Sequence, residues 1–490
     1  MDQDKKSEGK PEGQQSFSAP AISLPKGGGA IRGIGEKFAA NPVTGTGSMT
    51  VPIASSPSRS GFGPQLSLSY DSGAGNGPFG IGWNLSLPSI TRKTDKGLPR
   101  YHDAEESDVY ILSGAEDLVP LLIEAGGSRR RDSTPRTVNG VDYTVERYRP
   151  RIEGLFARIE RWTRKSDDDT HWRSISKDNI TTRYGKTADS RIADPTKIFS
   201  WLICESYDDK GNAILYAYKE EGDNGIDRAQ AHECNRTTES RKANRYLKSI
   251  RYGNTRSHVD PAFATREAWR QATQWLFEVV FDYGEGRYQE QLPDADGRIF
   301  VQAALAPPTN FSWPVRQDPF SAYRAGFEVR TYRLCRRVLM FHHFPNELGT
   351  PDYLVRSTEF KYTETPIASF ITQVAQSGYV RQANGRYLKK SLPPLEFQYS
   401  RAIIQDTVRE LDGDSLENIP YGLDGAHYQW VDLDGEGLSG ILTEQAEGWF
   451  YKRNLSPLTI QRENGEQTIT ARFAPLELLG AKPTSGLAGG

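Results

Sequence analysis

Sulfur is scarce in this chain: three cysteines (Cys204, Cys234 and Cys335) and three methionines among 490 residues. An odd number of widely spaced cysteines excludes a disulfide-stapled secreted module, whose cysteines are dense and even in number. Long hydrophobic runs are absent too. Hydrophobic residues make up 36% of the chain, and stretches such as Ile198–Cys204 fall well short of the ~20 residues a membrane helix needs. No membrane insertion by this chain is expected. Neither sign of charge dominates, with 61 basic against 63 acidic residues and a net charge of −2. That balance argues against a generic nucleic-acid binder, which carries a basic excess. The first residues, MDQDKKSEGKPEGQQ, lack the apolar segment of a Sec-type signal peptide. The expectation is synthesis in the cytoplasm and, if the protein reaches the outside, export by another route.

Aromatic and turn-forming residues are plentiful: 23 Tyr, 20 Phe and 9 Trp beside 46 Gly and 29 Pro. This mixture suits strands and tight turns rather than a helical bundle. Apolar residues also alternate with polar ones, at Leu66, Leu68 and Tyr70, then at Trp83, Leu85 and Leu87. The same period of two recurs at Trp275, Phe277, Val279, Phe281 and Tyr283, at Phe360 and Tyr362, and at Leu395, Phe397 and Tyr399. It predicts strands with one face buried. Between them lie turn clusters, Asp208-Asp209-Lys210-Gly211-Asn212, Tyr252-Gly253-Asn254 and Tyr283-Gly284-Glu285-Gly286, the signal of hairpins. Helical periodicity is scarce, and the best candidate for a short helix is Pro261–Gln274. The fold class is therefore all-β, with antiparallel hairpins stacked into a large sheet.

Four segments are predicted. Residues 1–21 have little to bury and form a disordered tail. Residues 22–400 make the hairpin-rich domain, and 476–490 a flexible tail. Between these, 401–475 hold three strands, 428–432, 441–443 and 448–452, around an acidic turn, most of one four-stranded propeller blade.

Few residues suggest chemistry. Gly75-Asn76-Gly77-Pro78-Phe79-Gly80 matches GxGxxG, yet Pro78 and the strand pattern after it favour a hairpin turn over a dinucleotide site. Gly185-Lys186-Thr187 resembles the end of a phosphate loop, but Ile180 stands where that loop needs glycine. His342 and His343 are adjacent in a strand pattern, point to opposite faces and so cannot chelate one metal ion together. Cys335, flanked by Arg333, Arg336 and Arg337, reads as a small core residue rather than a nucleophile. Arg129-Arg130-Arg131 reads as a solvated loop. Asp432, Asp434 and Glu436 leave two readings open, a Ca²⁺ loop or a solvated β-turn. An EF-hand is excluded, because its twelfth position is Thr443 rather than a bidentate Glu. No nucleophile–base set emerges, so the expectation is a non-enzymatic chain without a cofactor other than Ca²⁺.

An ordered string of motifs carries a resemblance. Ser23-Leu24-Pro25-Lys26-Gly27-Gly28-Gly29-Ala30-Ile31, Gly33-Ile34-Gly35-Glu36-Lys37-Phe38, Gly61–Tyr70 and Gly77–Trp83 resemble the SpvB/TcaC family. That family comprises the virulence-plasmid B protein of Salmonella and the B components of insecticidal toxin complexes. Residues 207–212, 247–254, 335–344 and 428–442 are similar as well, the last to FG-GAP-like propeller strands. The resemblance implies a hollow Rhs/YD-type β-shell, built with a C component around a toxic segment, and a propeller that docks on the A-component translocation pore. It implies export as part of a toxin complex and a role in virulence. Family members are longer, so the chain is expected to be the front part of such a shell. The other reading is a stand-alone secreted or surface β binding module.

Overall fold

The computed structural model describes residues 37–40, 46–113, 117–195, 197–263, 265–309 and 311–399. It also describes 410–419, 427–435, 438–445, 448–456, 460–463, 466–469 and 471–481. The expected disordered tail, 1–21, lies outside these. The chain divides into two compact units at Gln398/Tyr399. Among the described residues, no helix is long and apolar enough to cross a membrane.

The first unit is all-β and antiparallel. A small sheet contains Lys37–Ala40, Gly47–Ile53, Leu66–Asp71 and Trp83–Leu85. The alternation at 66–70 places Leu68 opposite Leu85 and Tyr70 opposite Trp83. Eight further strands close on themselves: Ser89–Arg92, Tyr110–Leu112, Asp117–Pro120, Val141–Pro150, Arg158–Arg164, Thr170–Ile175, Thr181–Tyr184 and Lys197–Tyr207. Each pairs with the next. The last returns to the first, with Trp201 opposite Ile90. The result is a barrel.

Lys197–Tyr207 also leads out of the barrel, through the turn at 208–212, into an open sheet. Its strands are Ala213–Glu220, Arg245–Asn254, Trp275–Asp282, Arg337–His342, Tyr353–Glu364, Ser369–Arg381 and Tyr387–Ser391. Phe277, Val279, Phe281 and Tyr283 share one core with Val51, Leu66, Leu68 and Trp83 of the small sheet. Alternation predicts a wet opposite face, but Val280 is buried there with Leu339, Phe341, Leu354 and Tyr379. Tyr288 and Val301, from strands Tyr288–Glu290 and Ile299–Ala303, belong to that second core. The expected helix is shorter than 261–274: it runs Arg266–Ala272, starting where the Thr265 side chain accepts from Ala268 N. Such a cap supplies one of the donors a first turn lacks.

In the second unit, strands Tyr428–Val431, Gly440–Gln445 and Gly448–Lys452 form an antiparallel meander. A fourth strand, Glu477–Ala481, pairs with the third. Residues 477–481 of the expected flexible tail 476–490 are thus a strand hydrogen-bonded along the sheet, while 482–490 lie outside the described residues.

Candidate functional site

The residues singled out by the sequence do not converge. Asp432 and Asp434 follow strand Tyr428–Val431; Asp434 Oδ2 lies 3.3 Å from Arg453 Nε, and Glu436 lies outside the described residues. Among the described residues, no group of three or more His, Cys, Asp or Glu side chains is placed to hold a metal ion. The GxGxxG stretch is a hairpin, Asn76–Gly77 against Gly80–Ile81. Gly80 sits at φ +84°, and an added Cβ would lie 2.5 Å from the Ser369 carbonyl. Gly185 of the Gly-Lys-Thr tripeptide is at φ +61°, and a Cβ there would collide with the Trp201 ring. Both glycines therefore serve close packing.

Cys335 is fully buried, and burial pushes its thiol well above its ordinary value. A thiol so held is not a nucleophile. Arg129–Arg131 correct the loop reading: they lie in strand Ser128–Arg131, paired with Leu122–Ala125. Arg131 bridges Glu106 and Glu146.

His342 Nε2 is 2.6 Å from Ser56 Oγ, whereas His343 faces Glu278 and, at 2.9 Å, Asp352. Burial lowers His342, and the charge of His343 adds to this. Burial opposes but does not prevent the rise of His343, which Glu278 and the Pro351 carbonyl favour. His171 and His258 are also lowered, first by burial and then by neighbouring cations. A histidine held below its unfolded value of 6.5 contributes stability above that pH and loses it as the pH falls. His343 works the other way. With three against one, the urea midpoint is expected to fall between pH 7.5 and 5.5, above the carboxylate range. A midpoint rising toward acid would contradict this, and His171→Phe should flatten the slope.

The most concentrated chemistry fills the barrel. Ile90, Tyr110, Leu118, Tyr148, Ile159, Trp172, Tyr184 and Trp201, one from each strand, form a single core. Eight strands leave an interior just wide enough for side chains. Trp172 lies 4.9 Å from Tyr110, 5.0 Å from Tyr148 and 6.0 Å from Trp201, ring centre to ring centre, with edges meeting faces. Two buried cations join these rings. Arg92 donates to Asp103 at 2.6 and 2.9 Å and to Asp108 at 2.7 Å. Arg161 donates to Glu146 at 2.6 and 3.0 Å and to the Tyr110 hydroxyl at 3.1 Å. A second network lies under the open sheet. Arg333, fully buried, donates through Nε to Glu221 at 2.8 Å and through both Nη atoms to the carbonyls of Trp313, Asn224 and Gly222. These groups brace a wall; none of them shows a nucleophile beside a base.

Comparison with known proteins places this architecture. The model of the family described as "Salmonella virulence plasmid 65kDa B protein" matches residues 41–344. The mono(ADP-ribosyl)transferase SpvB of Salmonella choleraesuis (strain SC-B67) is 41% identical over 355 residues, covering 70% of this chain and 54% of that protein. The chain thus spans about half the length of the curated relatives it matches. The solved N-terminal domain of effector protein SpvB from Salmonella typhimurium strain LT2 aligns with a TM-score of 0.58 at 38% identity, over 68% of this chain and 98% of that one. TcdB2-TccC3 aligns with a TM-score of 0.69 at 32% identity, over 94% of this chain and 21% of that one. The Photorhabdus luminescens Tc holotoxin pore gives 0.69 at 31% identity, over 96% and 20%. The relative's name corrects the expectation of a non-enzymatic chain. That activity is named for a protein of which this chain matches about half. The chain belongs to the family of the Salmonella virulence plasmid 65kDa B protein, SpvB, a family of bacterial toxin and virulence proteins.

Proposed function

We propose that this chain is the N-terminal part of a toxin-complex B-type component. Its barrel and open sheet form part of the wall enclosing a toxic segment. The four-stranded meander at 428–481 is a blade of the propeller that docks on a translocation pore. The partners are a C component, which completes the shell, and an A component, which supplies the pore. Export occurs as part of that assembly.

One observation carries this reading: the match to TcdB2-TccC3 spans 94% of the chain, so it extends over most of both units. The buried networks fit the role, since a wall must keep its shape around cargo that contributes no core of its own. Co-expression with the remainder of a Tc-type B component and a C component tests it. One co-purifying particle is expected; elution of this chain by itself would overturn the proposal. Removal of residues 399–490 should abolish binding of that particle to a purified Tc pore complex. A second reading, a stand-alone β binding module, is favoured by the 98% coverage of a SpvB domain solved separately.

A further inference from the structure

The outer wall of the barrel carries a second feature that the shell does not require. Interior residues alternate along the strands with outward ones, so Ile159 and Trp172 face in while Trp162, His171 and Arg173 face out. Helix Arg266–Ala272 packs through Trp269 on Ala213 and Trp275 of the adjoining open sheet, and its Arg266, Glu267 and Arg270 meet this wall around a cleft of about 360 Å³. Five cations line it, Arg173, Arg183, Lys186, Arg266 and Arg270, against one carboxylate, Glu267.

Two fully buried carboxylates stand behind the cations. Glu160 pairs with Arg173 at 2.7 Å, and Glu205 with Arg183 at 3.3 Å, Arg266 at 2.7 Å and Arg270 at 3.3 Å. Even with both included, cations outnumber carboxylates by five to three. Two carboxylates do not need so many partners, and a like-charged cluster costs energy unless something offsets it.

The cations are also held in place. The Arg173 guanidinium sits 4.7 Å over the Trp162 ring. Lys186 Nζ is 5.0 Å over the Tyr143 ring and donates to its hydroxyl at 3.2 Å. Each guanidinium has five N–H donors, and the buried Nε of Arg270 has no acceptor among the described residues. His171, in the same wall, serves as a probe of the local field. Burial holds it far below its ordinary value, and every charge that adds to the effect is a cation: Lys186, Arg183, Arg191 and Arg173.

From this geometry we infer that the cleft binds a compact phosphate-bearing polyanion. Converging guanidinium groups match phosphate oxygens in charge and in fork geometry. A diphosphate or a ring bearing several phosphates offers enough oxygens to engage Lys186, Arg270 and Arg173 together. The inference is independent of the toxin-shell reading, because it rests only on side chains of the barrel wall and of helix Arg266–Ala272.

Isothermal titration of the full chain at low ionic strength tests it, with pyrophosphate, ADP, inositol trisphosphate and citrate as probes. At least one phosphate probe is expected to bind with micromolar Kd, and citrate at least about tenfold more weakly. The tightest probe identifies the source: free diphosphate, nucleotide or inositol headgroup. Among the described residues Lys186 makes no ion pair, so Lys186→Met orphans no carboxylate. It should weaken binding about tenfold, or ~1.4 kcal/mol, with only the small fall in melting temperature that losing its bond to Tyr143 entails. Lys390→Met, an exposed charge on another strand, should leave Kd unchanged. No heat from any phosphate probe at millimolar concentration would overturn the inference. So would citrate binding equally well, or Lys390→Met weakening binding as much as Lys186→Met.

Discussion

Arg333→Leu is expected to lower the unfolding free energy of the first unit by about 3–5 kcal/mol, the usual cost of removing one partner from a buried ion pair. Glu221, also fully buried, would lose its only guanidinium partner among the described residues and keep the Tyr246 hydroxyl at 2.5 Å and Tyr332 N at 3.1 Å. The carbonyls of Gly222, Asn224 and Trp313 would lose their donor as well. Most of the cost is thus the charge left behind, so Glu221→Gln added to Arg333→Leu should recover at least about 1 kcal/mol. Urea unfolding at pH 7.5 measures both. A single-variant loss under about 1 kcal/mol, or a double variant worse than the sum of its parts, would show that the network does not brace the sheet.

Trp201→Ala should cost about as much, 3–5 kcal/mol, through cavity formation rather than charge. The indole is fully buried in the barrel, packs on Trp172 and Tyr110, and donates to the Thr170 carbonyl at 2.9 Å. Strands on both sides of it limit collapse into the space. Phe156→Ala, at a ring 71% exposed, should stay within about 0.5 kcal/mol. Since folded domains hold only about 5–15 kcal/mol in reserve, Trp201→Ala should open the barrel at moderate urea while Phe156→Ala melts like the parent. Equal midpoints for the two would contradict a filled, closed interior.

Closure of that interior is where the sequence falls silent. Long alternating strands announce themselves: 66–71 and 275–282 stand where alternation puts them, although the far face of 275–282 is buried as well. Closing the barrel depends instead on its shortest strands. Tyr110–Leu112 and Asp117–Pro120 are too brief for periodicity to register, and Ser89–Arg92 finds its partner at 200–202, far away along the chain. Arg129–Arg131 looked like a loop because nothing there is apolar; cross-strand pairing with 122–125 and carboxylates from two other segments hold it as a strand. The basic cleft was equally hidden. Its cations come singly from 173, 183, 186, 266 and 270, each beside neutral or acidic neighbours, and only the fold gathers them. The acidic turn at 432–436 was visible as a pattern, but a pattern of carboxylates does not reveal an arginine such as Arg453 arriving from the next strands.

That this chain is a wall segment of a toxin shell is tested most directly by cryo-electron microscopy of the particle it forms with the remainder of a Tc-type B component and a C component. A hollow particle is expected, in which residues 37–398 form continuous sheet with the rest of the wall and 428–481 form one blade of a closed propeller. A particle in which residues 37–398 hang as a separate domain, sharing no strand pairing with any enclosure, would contradict it.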